Sequence, residues 1–124
     1  INSTFGGNLV DMYRFKLILE IIEEESLLEN SLTMWKYLLN SINDLSIEFP
    51  GYVTNPRGVG LFCAFDLPST LERDKFTSLM LDKRVMILGS GTKSIRFRPH
   101  LNVLKSDLDF CMNAVHSSLK EMLN

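Results

Sequence analysis

Two short segments near the ends of this 124-residue chain carry side chains suited to binding anions. Residues 2–8 read Asn-Ser-Thr-Phe-Gly-Gly-Asn, and residues 94–99 read Ser-Ile-Arg-Phe-Arg-Pro. A hydroxyl beside two glycines, directly before a helix, can donate to a phosphate, because glycine allows close backbone approach and a helix start attracts anions. On spacing alone an ordinary helix cap after a glycine turn is the better interpretation, because the segment is not a P-loop and has no adjacent lysine.

Arg96 and Arg98 alternate along the second segment. A strand there places both guanidinium groups on one face, about 6–7 Å apart. Like charges side by side in a sheet are unfavourable unless an anion lies near them. Since a guanidinium matches the two oxygens of a carboxylate, we interpret the strand as a carboxylate site. The alternative is one structural ion pair beside one exposed arginine.

The sequence shows neither a nucleophile with its base nor a cluster with metal-ligand spacing, so we expect no catalytic residue and no metal site in this chain. The net charge of −2 predicts neither nucleic acid nor an anionic membrane as a partner. Cys63 and Cys111 lie among apolar residues, which favours free thiols and, through them, a cytoplasmic location. The two anion-binding segments therefore indicate part of an active site whose reactive half lies elsewhere.

The elements that must position these segments follow from the apolar spacing. Helical periodicity runs from Leu9 to Phe49 with a break near residues 25–26, and Pro50-Gly51 ends it. The apolar stripes at helical spacing are Met12, Phe15, Leu19 and Ile22, then Leu28, Leu32, Trp35, Leu39 and Ile42, and near the chain end Leu108, Met112, Val115, Leu119 and Met122. The first helix presents more apolar surface than we expect a domain of this size to leave bare. The expected capping pairs are Ser26 with Glu29, Ser69 with Glu72, and Ser106 with Asp109.

Between the helices, Tyr52–Asp66 reads as two strands around a turn at residues 55–58, followed by strands at Val85–Leu88 and Ser94–Arg98. Within that turn, Arg57 is expected to pair with a nearby acid or carbonyl. The order of elements predicts a single α+β domain, in which a mostly antiparallel sheet has helices packed on one face. We expect residues 1–48 to be a long helical connector and residues 49–124 to form the small α+β domain.

Taken together, these segments resemble the C-terminal portion of the class III aminotransferases, which are pyridoxal-phosphate enzymes of fold type I. The resemblance runs through the whole chain in order, at residues 2–8, 48–50, 57–60, 60–68, 87–91 and 94–99. Within the family it is strongest to the lysine 6-aminotransferases, on Gly-Gly-Asn-Leu-Val-Asp-Met and Cys-Ala-Phe-Asp-Leu-Pro. The 4-aminobutyrate aminotransferases, which share Ser-Ile-Arg-Phe-Arg-Pro, are the second choice.

The resemblance implies a role for several residues. Thr4, with Ser3 beside it, matches the position that donates to the cofactor phosphate in the neighbouring subunit of a homodimer. Arg96 matches the arginine that pairs with a substrate carboxylate, and Asn2 matches a position that touches substrate across the dimer interface. No role is assigned to Arg98 beyond supporting the site. The implied substrates are L-lysine, whose terminal amino group is transferred, and 2-oxoglutarate.

The sequence departs from the family pattern at two positions, because His100 replaces a usual proline and Val59 replaces a frequent basic residue. The lysine that forms the family's Schiff base lies upstream of the Ser-Thr-Phe-Gly-Gly turn, and no lysine here has a matching context. We therefore expect an upstream domain to be missing and the chain alone to be inactive. The competing hypothesis is a non-catalytic α+β module that binds an anion or an acidic peptide.

Overall fold

The computed structural model describes residues 3–124. Within that range the helices are α1 (Leu9–Glu24), α2 (Leu27–Glu48), α3 (Thr70–Asp82) and α4 (Lys105–Leu123), and the strands are β1 (Thr54–Val59), β2 (Phe62–Asp66), β3 (Leu88–Ser90) and β4 (Ser94–Phe97). The predicted α+β class and the break between the first two helices are confirmed. Of the helices in this range, none has the length and hydropathy needed to span a membrane.

The strands form one antiparallel sheet in the order β1-β2-β4-β3. One face of the sheet is buried against the helices, with α2 packed on β1 and β2, and α3 and α4 packed on each other. Side chains with no more than 1% of their surface exposed form the centre of this core: Leu38, Ile42, Val53, Phe65, Leu67, Phe76, Met80, Ile95, Val115 and Leu119. The opposite face of the sheet is open, and it carries the arginines.

The stripe on α4 is confirmed, and the stripe on α2 is confirmed for three of its five residues, since Ile42 is buried and Trp35 and Leu39 pack against the core. In α2 the buried residues are Leu27, Leu38, Ile42 and Leu45, while Leu28 and Leu32 are 64% and 52% exposed. Helix α1 has no buried residue, and Met12, Phe15 and Leu19 of its stripe are exposed, as expected for a helix with more apolar surface than this domain can cover. Because α1 packs mainly on α2, its apolar residues do not reach the core between the sheet and the other helices.

Two of the three predicted capping pairs were wrong. Ser26 lies in the left-handed conformation (φ 50°) and makes no capping hydrogen bond, because it forms the sharp joint between α1 and α2. The last helix begins earlier than Ser106, and Asp107 accepts a hydrogen bond from the Leu104 amide at 3.0 Å. At α3 the prediction holds for the serine, since its hydroxyl accepts from the Glu72 amide at 3.2 Å.

The turns of the sheet differ from the prediction as well. The β1–β2 turn lies at Gly60-Leu61, and residues 55–56 instead form an irregularity inside β1, where Asn55 has φ 53°. The third strand begins at Leu88 rather than Val85, because its ladder with β4 runs over residues 88–90. The Ser94–Arg98 strand is confirmed as β4 apart from its last residue.

Candidate functional site

The open face of the sheet is arranged in cross-strand rows. Residue pairing places Arg57 opposite Ala64, Ala64 opposite Arg96, and Arg96 opposite Leu88. Since side chains alternate along a strand, the arginines of β1 and β4 rise on the same face, with the short alanine side chain between them. Arg96 is exposed, while its neighbours Ile95 and Phe97 are buried in the core and fix the strand. The predicted orientation of this strand is therefore confirmed.

Arg57 is neutralised on this face by a carboxylate. Its Nη1 donates to Oδ1 of Asp66 at 3.0 Å and to the Asn55 carbonyl at 2.9 Å, and its Nη2 donates to Oγ of Ser94 at 3.0 Å. The prediction that this arginine pairs with a nearby acid or carbonyl is confirmed on both counts. The carboxylate itself was missed as a functional candidate, although an aspartate inside an apolar strand is the sequence signal that could have indicated it.

Arg96 differs from Arg57 in its partners. Among residues 3–124, the arginines that form ion pairs with carboxylates are Arg14, Arg57 and Arg73. Arg96 instead lines a groove of about 410 Å³ at the edge of the sheet, together with the apolar side chains of Met86 and Leu88. The same groove is also lined by Arg98 and by Asp107, whose Oδ2 accepts from the Leu104 amide. Because Arg96 forms no ion pair with a carboxylate of residues 3–124, its guanidinium can hold the carboxylate of a small molecule that has an aliphatic body.

Arg98 follows the end of β4 and is also exposed. Its guanidinium lies over the ring of Phe62, 5.3 Å from the ring centroid, which is a cation–π contact. Residues 61–66 are largely apolar at alternate positions on both faces, which predicts a strand buried on both sides. That prediction is wrong for the open face, because Phe62 is 64% exposed there. The inward face of that strand is buried as expected.

The second predicted anion site, the N-terminal turn, is an exposed turn that leads into α1. The amide of Gly6 donates to the Ser3 carbonyl at 3.0 Å, and Gly7 adopts φ 78°, a conformation natural to glycine. Asn8 caps the helix, since its Oδ1 accepts from the amides of Val10 and Asp11 at 3.0 and 3.1 Å. Both amides therefore already have a hydrogen-bond acceptor within the chain. The expectation that the helix start offers unpaired amides to a phosphate is wrong for these two groups.

The hydroxyl groups of the turn fit a phosphate better than the helix amides do. Ser3 and Thr4 are both exposed and precede two glycines, so an oxyanion can approach their hydroxyls closely. Helix α1 is 16 residues long, about 24 Å, and packs mainly on α2. Nothing in the contacts of the described residues brings Thr4 to Arg96, and Asn2 lies outside those residues.

The lysines and cysteines of residues 3–124 differ in how far they are buried. Within residues 3–124 no lysine is buried; six are exposed and Lys83 is half-buried. Cys63 and Cys111 are free thiols, as predicted, and burial raises the pKa of each to about 11. A thiol with a raised pKa is a poor nucleophile at neutral pH.

Comparison with known proteins identifies the family. Residues 1–119 match the family described as aminotransferase class-III. The chain belongs to the class III aminotransferases. It is 44% identical over 119 residues to L-lysine-epsilon aminotransferase of Mycobacterium tuberculosis, covering 96% of this chain and 26% of that protein.

Two further similarities agree with this family. A solved structure of the lysine aminotransferase from M. tuberculosis superimposes with a TM-score of 0.92 at 43% identity, covering 98% of this chain and 28% of that one. Mitochondrial 4-aminobutyrate aminotransferase of Sus scrofa is 43% identical over 84 residues, covering 68% of this chain and 17% of that protein. The chain thus spans about a quarter of the length of the lysine aminotransferases that it matches.

Proposed function

We propose that this chain is the C-terminal part of an aminotransferase that moves the terminal amino group of L-lysine to 2-oxoglutarate, and that it positions a carboxylate and a phosphate there. The observation that carries the proposal is Arg96, which stands on the open sheet face without a carboxylate partner among residues 3–124, while Arg57 beside it has one. The similarity to lysine aminotransferases over nearly the whole chain supports the choice of donor.

The cofactor in this proposal is pyridoxal phosphate, which when bound supplies a carrier for the amino group and a ring that accepts electrons. The hydroxyl of Thr4, assisted by Ser3, donates a hydrogen bond to the phosphate of the partner subunit in a homodimer. This geometry is compatible with an exposed turn at the far end of α1. Asn2 is proposed to contact substrate from the same segment.

In the proposed mechanism Arg96 holds the substrate carboxylate with two parallel hydrogen bonds. The exposed apolar side chains of Met86 and Leu88 along the groove contact the aliphatic part of the substrate, and the water displaced by that contact strengthens the ion pair. Donor and acceptor both carry a carboxylate, so one arginine can serve both halves of the reaction. Fixing the carboxylate in this way orients the reacting end and lowers the entropic part of the barrier.

Proton transfer at the substrate requires a basic amine that this chain does not provide. The lysines within residues 3–124 are exposed or half-buried, whereas a catalytic amine needs a site that lowers its pKa. We propose that the reactive lysine lies outside this chain, that residues 1–48 are the connector to that part, and that the chain alone is inactive. A cytoplasmic location belongs to the same proposal.

The decisive experiment is steady-state kinetics of the full-length protein and its Arg96 variants. Arg96→Ala should lower kcat/KM with lysine and with 2-oxoglutarate by about 30- to 1,000-fold, since truncating one partner of a partly desolvated ion pair costs about 2–4 kcal/mol. Arg96→Lys should recover little, because an ammonium cannot make the two-pronged contact. The control is Arg84→Ala, which removes an exposed arginine outside the sheet and should leave the rate unchanged.

The second candidate is an aminotransferase for 4-aminobutyrate, which the similarity to the Sus scrofa enzyme favours. Parallel assays with lysine and 4-aminobutyrate as donors separate the two. If the full-length protein transfers nitrogen from neither donor, the non-catalytic binding module becomes the better hypothesis. If Arg96→Ala retains normal efficiency with 2-oxoglutarate, the carboxylate role of this arginine is wrong.

A further inference from the structure

Asp66 is the one charged side chain that is buried among residues 3–124, with 8% of its surface exposed. Its Oδ1 accepts from Ser94 Oγ at 2.6 Å and from Arg57 Nη1 at 3.0 Å, and its Oδ2 accepts from Asn55 Nδ2 at 3.1 Å. A buried carboxylate with three donors is well compensated. These hydrogen bonds join three strands of the sheet, and the proposed reaction gives the network no task.

Ser94 is the point at which this network reaches the strand that carries Arg96. Its hydroxyl donates to Asp66 and accepts from Arg57 Nη2 at 3.0 Å, so both neighbouring strands hold it. Asp66 pairs with Ser94 across β2 and β4, and the next pair on the same face is Ala64 with Arg96. Ser94 therefore lies on the same face as Arg96, and the two Cα atoms are about 6–7 Å apart.

The hydrogen bonds of the network are made to charged groups. Burial on its own would raise the pKa of Asp66, but hydrogen bonds from Ser94, Asn55 and Arg57, together with the arginine charge, lower it below the usual range. The carboxylate is thus ionised at neutral pH, and hydrogen bonds to an ionised group are about twice as strong as those between neutral groups. Because β4 has only four residues, such a bond at its first residue restrains much of the strand.

Arg96 depends on its strand for its position. Its side chain is exposed and is not among the arginines that pair with a carboxylate of residues 3–124. A long side chain without such a partner samples several rotamers, so the strand beneath it determines where its guanidinium can meet a ligand. On the inward face, the buried side chains of Ile95 and Phe97 restrain β4. On the open face, the bond between Ser94 and Asp66 provides that restraint.

We infer that Ser94 is a positioning residue for the substrate carboxylate: held by Asp66 and Arg57, its hydroxyl fixes the strand from which Arg96 reaches the groove. This inference rests on the proposed carboxylate role of Arg96. Ser94 does not line the groove itself, so it acts through the arginine. Because a small displacement of a binding group weakens every contact that the group makes, losing the hydroxyl should weaken carboxylate binding although the guanidinium is still present.

The test compares Ser94→Thr with Ser94→Val, two side chains of the same shape of which only threonine has a hydroxyl. The ligand is glutarate, which has both carboxylates of 2-oxoglutarate but no oxo group to react. Its affinity for the full-length protein loaded with pyridoxal phosphate is measured by isothermal titration calorimetry, which needs no turnover. Ser94→Val should bind glutarate about fivefold to fiftyfold more weakly than wild type, whereas Ser94→Thr should stay within about threefold.

Two controls distinguish positioning from general damage to the sheet. Ser94→Val should retain pyridoxal phosphate during dialysis as wild type does, since the proposed phosphate contact belongs to the turn before α1; a parallel loss of cofactor and glutarate would overturn the inference. Ser90→Ala is the matched control, because Ser90 pairs with Ser94 across β3 and β4 but its hydroxyl is not a partner of Asp66 or Arg57. It should bind glutarate within about twofold of wild type.

The outcomes separate this inference from the proposed function. If wild type does not bind glutarate, or if Arg96→Ala binds it as well as wild type, the carboxylate site and this inference are both wrong. If Arg96→Ala loses binding while Ser94→Val and Ser94→Thr bind glutarate equally, this inference alone is overturned. Should Ser94→Val fail to fold, Ser94→Ala replaces it, and an affinity equal to that of Ser90→Ala would contradict the inference.

Discussion

At the scale of single residues, three arginines on one sheet face are distinguished by what surrounds each of them. Arg57 is paired with Asp66, Arg98 lies over the ring of Phe62, and Arg96 lines a groove. An exposed guanidinium that makes no ion pair within residues 3–124 is available to bind an external carboxylate. This difference, rather than the mere presence of arginines, is what supports a carboxylate ligand at Arg96.

Thr4 provides a prediction at the same scale. In the full-length protein, Thr4→Ala should weaken binding of pyridoxal phosphate about tenfold to a hundredfold, because one hydrogen bond to a charged group contributes about 1.5–3 kcal/mol. Thr4→Ser keeps the hydroxyl and is the matched control, with affinity close to wild type. Cofactor retained during dialysis measures both variants. Equal retention by Thr4→Ala and wild type would contradict the phosphate role.

The role of a residue could be predicted from the sequence where the residue lies on the exposed face of a regular strand. The shared face of Arg96 and Arg98 followed from simple alternation, and the pairing of Arg57 followed from its charge. Asp66 could not be assigned in the same way, because its partners come from β1 and β4. Only the strand register brings these groups together, and the register depends on a turn that the sequence placed wrongly.

At the scale of elements, the β1–β2 hairpin depends on the close approach of Gly58 to the neighbouring strand. A Cβ there would lie 2.5 Å from Sγ of Cys63 and 2.8 Å from the carbonyl oxygen of Phe62. Such contacts cannot be relieved without moving backbone. The hairpin also carries Arg57 and Asp66, so its geometry determines the charge on the open face.

Gly58→Ala should therefore lower the free energy of unfolding by about 1–3 kcal/mol, measured from the urea midpoint of the full-length protein. Gly89→Ala is the control, since the nearest atoms to a new Cβ there are Cδ and Nε of the Arg73 side chain, at 2.8 and 2.9 Å. A flexible side chain can move aside, so this variant should lose less. Equal losses for the two variants would show that the hairpin tolerates the displacement.

The helices illustrate why element existence was easier to predict than element boundaries. Helical periodicity located α2 and α4, since each turns apolar residues toward one core, and the Ser69–Glu72 capping pair located the start of α3. Caps and turns depend on single residues, and Ser26 shows the difficulty: the same serine that suits a cap adopts φ 50° at a sharp joint. The packing of α1 against α2, rather than the conformational preference of serine, determines that backbone conformation.

At the scale of the whole molecule, α1 is the element that does not fit an isolated domain. Nine of its large apolar residues are exposed: Leu9, Val10, Met12, Tyr13, Phe15, Leu17, Ile18, Leu19 and Ile21. At 100° per residue these positions point to all sides of the helix, and helices of that kind are normally buried. The chain spans about a quarter of the length of its lysine aminotransferase relatives, and in the proposed function α1 packs against the part of the full-length protein outside residues 3–124.

The 124-residue chain expressed alone should therefore self-associate and bind no pyridoxal phosphate, because large exposed apolar patches are rare on monomers. Light scattering after size-exclusion chromatography measures the association. Replacing Phe15 and Ile18, which are 62% and 47% exposed on α1, by lysine should reduce it. The matched control replaces Val59 and Met86, which are 79% and 81% exposed elsewhere, by lysine and should not. A monodisperse wild-type monomer that binds the cofactor would refute the prediction, since α1 would then tolerate water on every side.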